Sequence, residues 1–202
     1  LIYLIDHDMA ILHVPRTGGT SLRLSLEGSR GVVIHCGTAP EEHMTAAQAR
    51  DLHPGCRTLA VVRSPWEIFA SMWKMGRLLA ARESITDWIE RLMSWMGCVS
   101  FSAFVRHAVR VDQFNVAAVG GFAALFCDHD TEILRYHSHI NDEIVQRFDL
   151  YRCSRDHRIN HTRRVPPPAW APDTVNAVWE YCRNDIALCG WLPPVHDALN
   201  RG

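Results

Sequence analysis

Short apolar runs alternate with turn and cap residues along the first eighty positions in a way that predicts three strand-to-helix units. The runs at 9–14, 31–35 and 58–63 are rich in Val, Ile and Leu and are followed by Pro, Gly or Ser, so each reads as a buried strand. Helix starts come next. They are predicted near Thr20, at Thr45, where Thr45-Ala-Ala-Gln48 has the spacing of a capping box, and at Pro65, with Ser64 as N-cap and Pro65 in the first helical position. Strands alternating with helices predict an α/β fold: three layers, a central parallel sheet with helices on both faces and right-handed crossovers.

Beyond residue 80 the pattern is coarser. Residues from about 84 to 126 predict helices carrying Trp88, Leu92 and Trp95, then Phe101, Phe104 and Val105, with a break at Gly120-Gly121. Asp149 to Cys153 reads as a further strand and Pro166-Pro-Pro168 as an extended loop. A last helix after Pro172 places Val175, Val178, Trp179, Cys182 and Ile186 on one face as a core stripe. Trp66 and Trp73 read as core residues. No repeat, low-complexity tract or linker divides the chain, so a single domain over 1–202 is expected.

Composition narrows the function classes. With 21 Lys and Arg against 22 Asp and Glu, the net charge of −1 argues against a general binder of nucleic acid or of membrane surfaces. No apolar run approaches the roughly 18 residues of a membrane span, and no signal-peptide pattern is visible in the residues given. The seven cysteines form no C-x-x-C pair, and an odd number leaves one over in any complete disulfide scheme. Reduced thiols and a cytoplasmic location are therefore expected.

The densest chemistry lies in Ile11-Leu-His-Val-Pro-Arg-Thr-Gly-Gly-Thr-Ser-Leu22. An apolar strand stops at Pro15, passes through Gly18 and Gly19, and re-emerges as a helix start. Thr20 and Ser21 are placed to cap that helix and to offer hydroxyls. Glycines let a backbone turn back and approach a ligand closely, and a helix N-terminus presents unpaired N–H groups that favour a phosphate or sulfate. The loop is not a Walker A motif, because Thr20 stands where that motif has its lysine. A second strand-to-helix junction, Thr58 to Trp73, puts Arg63 at the strand's carboxyl end and Ser71 two turns along the helix. Two such junctions predict one ligand with two separated anionic ends.

At these residues the chain resembles a known family. Pro15-Arg-Thr-Gly-Gly-Thr-Ser-Leu22 is similar to the Pro-Lys-Thr-Gly-Gly-Thr-Ser-Leu loop with which sulfotransferases hold the 5′-phosphosulfate of 3′-phosphoadenosine 5′-phosphosulfate (PAPS). The segment Val62-Arg-Ser-Pro-Trp-Glu-Ile-Phe-Ala-Ser71 resembles the one whose arginine and serine bind the 3′-phosphate. His43-Met-Thr-Ala46 resembles a segment of the carbohydrate-type branch, and Arg158 to Arg164 resembles the late loop that closes over the nucleotide. The resemblance implies a P-loop-like nucleotide fold and a PAPS-dependent sulfotransferase acting on a hydroxyl acceptor, a carbohydrate or glycan-like molecule. It implies donor contacts from Pro15, Arg16, Thr17, Gly18, Gly19, Thr20, Ser21, Arg63, Ser71, Asn160, Arg163 and Arg164. Two departures stand out: Arg16 replaces the usual lysine, and Thr162 stands where serine is common.

Sulfuryl transfer needs a base for the acceptor hydroxyl and fixed donors for charge growing on the bridging and equatorial oxygens. Arg16 and the loop amides suit the second task. His43, in the loop ahead of the helix capped by Thr45, suits the first; His35 at the end of the second strand is the next candidate, and Glu41 and Glu42 follow. No metal is expected, since Asp128-His-Asp130 with His137 and His139 matches no familiar ligand spacing. Two other readings stay open: a nucleotide kinase-like phosphotransferase, which the missing Walker lysine opposes, and a catalytically silent nucleotide-binding protein, which the change to Arg16 would suit.

Overall fold

A computed structural model describes residues 1–35, 43–80, 99–151, 165–166 and 168–194. Its chain divides into two compact units, Leu1–Arg63 with Ala123–Ile159, and Ser64–Phe122 with Asn160–Gly202.

The first unit is an α/β structure. Its strands are β1 (Ile2–Leu4), β2 (Met9–Leu12), β3 (Val32–Ile34), β4 (Arg57–Val62) and β5 (Thr131–Arg135), and its helices are α1 (Gly19–Leu26) and α2 (Ala46–Leu52). The sheet order is β3-β1-β2-β4-β5. β2 and β4 run parallel, as the strand-helix alternation predicts, and β5, which that alternation does not mark, runs parallel to β4. The sheet as a whole is mixed, which corrects the expected all-parallel sheet: β1 inserts between β2 and β3 and runs antiparallel to both. The cause is local. A single 3₁₀ turn over Ile5–His7, closed by Asp8 in the left-handed region, returns the chain so that β1 and β2 form a tight hairpin.

Alternation along the strands sorts the packing. Met9 and Ile11 with Leu59 and Val61 face a core closed by Leu22 and Leu26 of α1 and by Ile140 and Ile144 of α6 (Ile140–Arg147). The opposite face carries Thr58, whose hydroxyl accepts from Arg50 of α2 at 3.3 Å. The predicted capping box of α2 is present. Gln48 N–H donates to Thr45 Oγ1 at 3.2 Å, and Gln48 Oε1 accepts from Thr45 N–H at 2.9 Å. The expected strand from Asp149 is not formed over 149–151: Asp149 takes φ 46° in a turn, while 152–153 lie outside the described residues.

The second unit is helical, built from α3 (Pro65–Ala80), α4 (Phe101–Arg110), α7 (Pro172–Tyr181) and α8 (Arg183–Cys189); the short α5 (Phe122–Phe126) begins at its boundary. Phe69 is fully buried at its centre, with the rings of Phe104, Phe114, Phe122 and Tyr181 between 5.5 and 6.2 Å away. Trp66 is buried and donates to the Val175 carbonyl at 3.3 Å; Trp73 donates to that of Val99 at 3.0 Å. Gly120 and Gly121 end the segment as expected, because both take positive φ and a Cβ on Gly121 would stand 2.1 Å from Asp185 Oδ1. The predicted last helix is two helices hinged at Cys182, so Val175, Val178, Cys182 and Ile186 are buried while Trp179 turns partly outward. Among the described residues no helix is long and apolar enough to cross a membrane. Cys56 and Cys182 are buried free thiols.

Candidate functional site

The loop between β2 and α1 is held from below. Thr17 is buried and its hydroxyl donates to the Val14 carbonyl at 2.7 Å, so what Thr17 has left for a ligand is its amide. Arg16 and Gly18 both take the left-handed conformation, at φ 66° and 86°. Such a φ is ordinary for glycine and costs a branched or long side chain of order 1 kcal/mol, so Arg16 is held where its backbone would not settle alone. The helix begins one residue earlier than expected. Gly18 is the N-cap and provides no side chain to cover the first amides, and Leu22 N–H closes the first turn on its carbonyl at 3.1 Å. Thr20 and Ser21 therefore lie inside the first turn rather than capping it. With no side chain spent on those N–H groups, the N-terminus keeps its donors for an anion.

Arg63 reaches the same loop. β4 delivers it at the strand's carboxyl end, where its Nη1 donates to the Arg16 carbonyl at 3.4 Å. Tyr136 is fixed opposite by its N–H bond to the Val62 carbonyl at 2.7 Å, and the guanidinium carbon of Arg63 lies 4.6 Å from the Tyr136 ring centroid. A Cβ on Gly18 would come within 3.4 Å of that ring, so glycine lets the loop lie against the tyrosine. Burial first, and the charge of Arg63 second, hold the Arg16 guanidinium below its ordinary value. Two cations gathered at an uncapped helix start make a local positive potential of the sign that suits a phosphate or sulfate.

His43 sits beside this loop. Its Nδ1 lies 2.8 Å from the carbonyl oxygen of His13. A carbonyl only accepts, so Nδ1 carries the proton, and the neutral ring must present a bare Nε2. The ring centroids of His13 and His43 are 4.6 Å apart, and Phe126 lies 6.2 Å from His43 on another side. His13 packs tightly over Gly19, where a Cβ would fall 2.2 Å from its Cδ2. Burial, followed by the neighbouring His43, pushes the His13 imidazole down to about 3, so it stays neutral. Sequence reasoning passed over His13 because it reads as the last polar position of a strand. Its one signal was its place two residues before the proline that opens the loop.

The other candidates are placed differently. His35 Nε2 is engaged with His53 Nε2 at 2.9 Å, and His53 stacks on Tyr3. Ser71 is buried in α3 of the second unit, while Arg63 ends the first. Asp128 pairs with Arg50 and accepts from Thr131, and His137 pairs with Glu143 at 2.8 Å. Asn160, Arg163, Arg164, Glu41 and Glu42 lie outside the described residues. Compared with protein-family models, curated proteins and solved structures, the chain matches none.

Proposed function

We propose that the protein is a sulfotransferase that moves the sulfuryl group of PAPS to a hydroxyl acceptor, with a carbohydrate or glycan-like acceptor favoured by the family resemblance. The observation that carries this reading is the convergence of Arg16 and Arg63 on the uncapped start of α1. The motif resemblance names the anion; the local electrostatics support an anion of that kind. The donor supplies the sulfuryl group and leaves as 3′-phosphoadenosine 5′-phosphate. Arg16 and the amides of Gly19 and Thr20 stabilise charge as the bridging sulfur–oxygen bond breaks, and Arg63, at the carboxyl end of β4, is the residue that the resemblance assigns to the 3′-phosphate. His43 takes the hydroxyl proton on Nε2 as the acceptor oxygen bonds to sulfur, its ring held in the needed tautomer by the His13 carbonyl.

The test is an acceptor screen with PAPS labelled in its sulfuryl group, run on the wild type and His43→Ala. Label transfer by the wild type that falls at least a hundredfold in the variant supports the assignment. Nucleotide binding without label transfer to any hydroxyl acceptor favours the catalytically silent alternative.

A further inference from the structure

Gly18, the N-cap of α1, is flanked by two side chains from one stretch of chain. A Cβ built on it would lie 3.4 Å from Cε2 of Tyr136 and 3.8 Å from Oδ1 of Asn141. Tyr136 follows β5 directly and is engaged with Arg63. Asn141 stands in the first turn of α6, and Ile140 and Ile144 of that helix share one core with Leu22 and Leu26 of α1. Packing of the two helices therefore sets Asn141 against the anion loop, in the same unit as Arg16 and Arg63. The fold itself makes no use of its amide. Although partly buried, the Asn141 side chain makes no hydrogen bond among the described residues. Such an amide has two N–H donors and an acceptor oxygen to satisfy, and rotation about its last bond exchanges the two ends. Beside it α1 starts with no side-chain cap and two arginines converge, all of them donors that call for an acceptor.

We infer that Asn141 is a further residue in contact with the donor: its Nδ2 donates to a non-bridging oxygen of the anion held by the β2–α1 loop, on the 5′ side of the nucleotide. This rests on the proposed sulfotransferase reading and adds to it a residue outside the motifs that carry the resemblance, which gives Arg63 to the 3′-phosphate. The amide suits the place, whereas the acid of the same shape does not. Aspartate would turn only acceptors and a negative charge toward the anion. Yet aspartate is well suited to the first turn of a helix, where the dipole favours negative charge. Contact with a ligand and support of the fold are therefore separable at this one position.

The experiment is calorimetry of 3′-phosphoadenosine 5′-phosphate and of adenosine 3′-phosphate, which lacks the 5′ group, on the wild type, Asn141→Ala and Asn141→Asp, with thermal melts alongside. A hydrogen bond to a charged group commonly changes affinity by about tenfold or more, so Asn141→Ala should weaken the bisphosphate by about that factor and Asn141→Asp by more. Adenosine 3′-phosphate should bind all three proteins alike, and the melting temperature of Asn141→Asp should not fall. Unchanged bisphosphate affinity in Asn141→Asp overturns the inference, as does an equal loss for the two nucleotides. A loss confined to Asn141→Asp and accompanied by a lowered melting temperature overturns it too, since the side chain would then only support the loop. If the wild type does not bind the bisphosphate, inorganic pyrophosphate is the probe. Pyrophosphate binding that Asn141→Asp abolishes upholds the Asn141 contact while the donor reading fails; binding that is absent, or the same in both proteins, overturns both.

Discussion

His43 donates its Nδ1 proton to the main-chain oxygen of His13 across 2.8 Å, so the residue ahead of the anion loop decides which nitrogen of His43 is basic. A main-chain acceptor cannot be removed by changing the His13 side chain, which makes the tautomer a property of the loop's path.

His43→Ala is therefore expected to lower kcat by about 10²–10⁴ with nucleotide affinity nearly unchanged. His35→Ala is the comparison. Because His35 Nε2 is engaged with His53, that variant should retain turnover, and steady-state kinetics on both variants distinguish the two. Loss of turnover in His35→Ala alone would move the base to the neighbouring loop.

Arg16 combines a strained backbone with a charge. Replacing it by glycine relieves the left-handed φ and the repulsion from Arg63, so Arg16→Gly should stabilise the fold by about 1 kcal/mol while turnover collapses. Arg16→Lys should keep substantial activity, since a cation remains, although the fork of donors is lost. Chemical denaturation beside kinetics reads both effects. A destabilised Arg16→Gly would show that the side chain holds the loop rather than serving a ligand.

A methyl group at Gly19 would meet the His13 ring at 2.2 Å. Gly19→Ala should cost roughly 1–3 kcal/mol through overpacking and should impair catalysis by displacing His13 and, with it, His43. An unchanged melting temperature would mean that His13 yields freely and is not the fixed support described above.

The depressed His13 imidazole sets a pH dependence of stability. In the unfolded chain it takes up a proton near the ordinary value of about 6.5, and in the folded protein only near 3. Between these limits the unfolded state binds more protons, so stability falls as pH drops from about 6.5 toward 3 and is fully present above that window. Urea titrations at pH 7.5 and pH 5 should show this loss in the wild type. His13→Leu, weaker at pH 7.5, should lose less on acidification.

Strong local signals made half of the architecture legible. Runs such as Leu59–Val62 could only be buried strands, and Thr45 with Gln48 could only close a capping box, so β2, β4, α2 and α3 emerge near their observed positions. β1 was hidden because it is three residues long and followed by the polar Asp6-His7-Asp8, and its antiparallel insertion depends on a turn that sequence periodicity does not register. β5 was hidden by Glu132 and Arg135 on a five-residue strand. At the site, the loop glycines and Arg63 were legible from motif and spacing. The places of His13 and Tyr136 were not, because each acts through a neighbour distant in sequence: His43 thirty residues away, and Arg63.

The central claim, that this loop with Arg63 recognises a nucleotide bearing both a 5′ and a 3′ phosphate, is tested most directly by calorimetry of 3′-phosphoadenosine 5′-phosphate against AMP and ATP-Mg²⁺ on the wild type and Arg63→Ala. A charge-assisted phosphate contact is worth on the order of 1.5–3 kcal/mol, so the bisphosphate should bind the wild type at least tenfold more tightly than AMP, and Arg63→Ala should erase most of that margin. Equal affinity for AMP and the bisphosphate, or tighter binding of ATP-Mg²⁺ than of either, would contradict it.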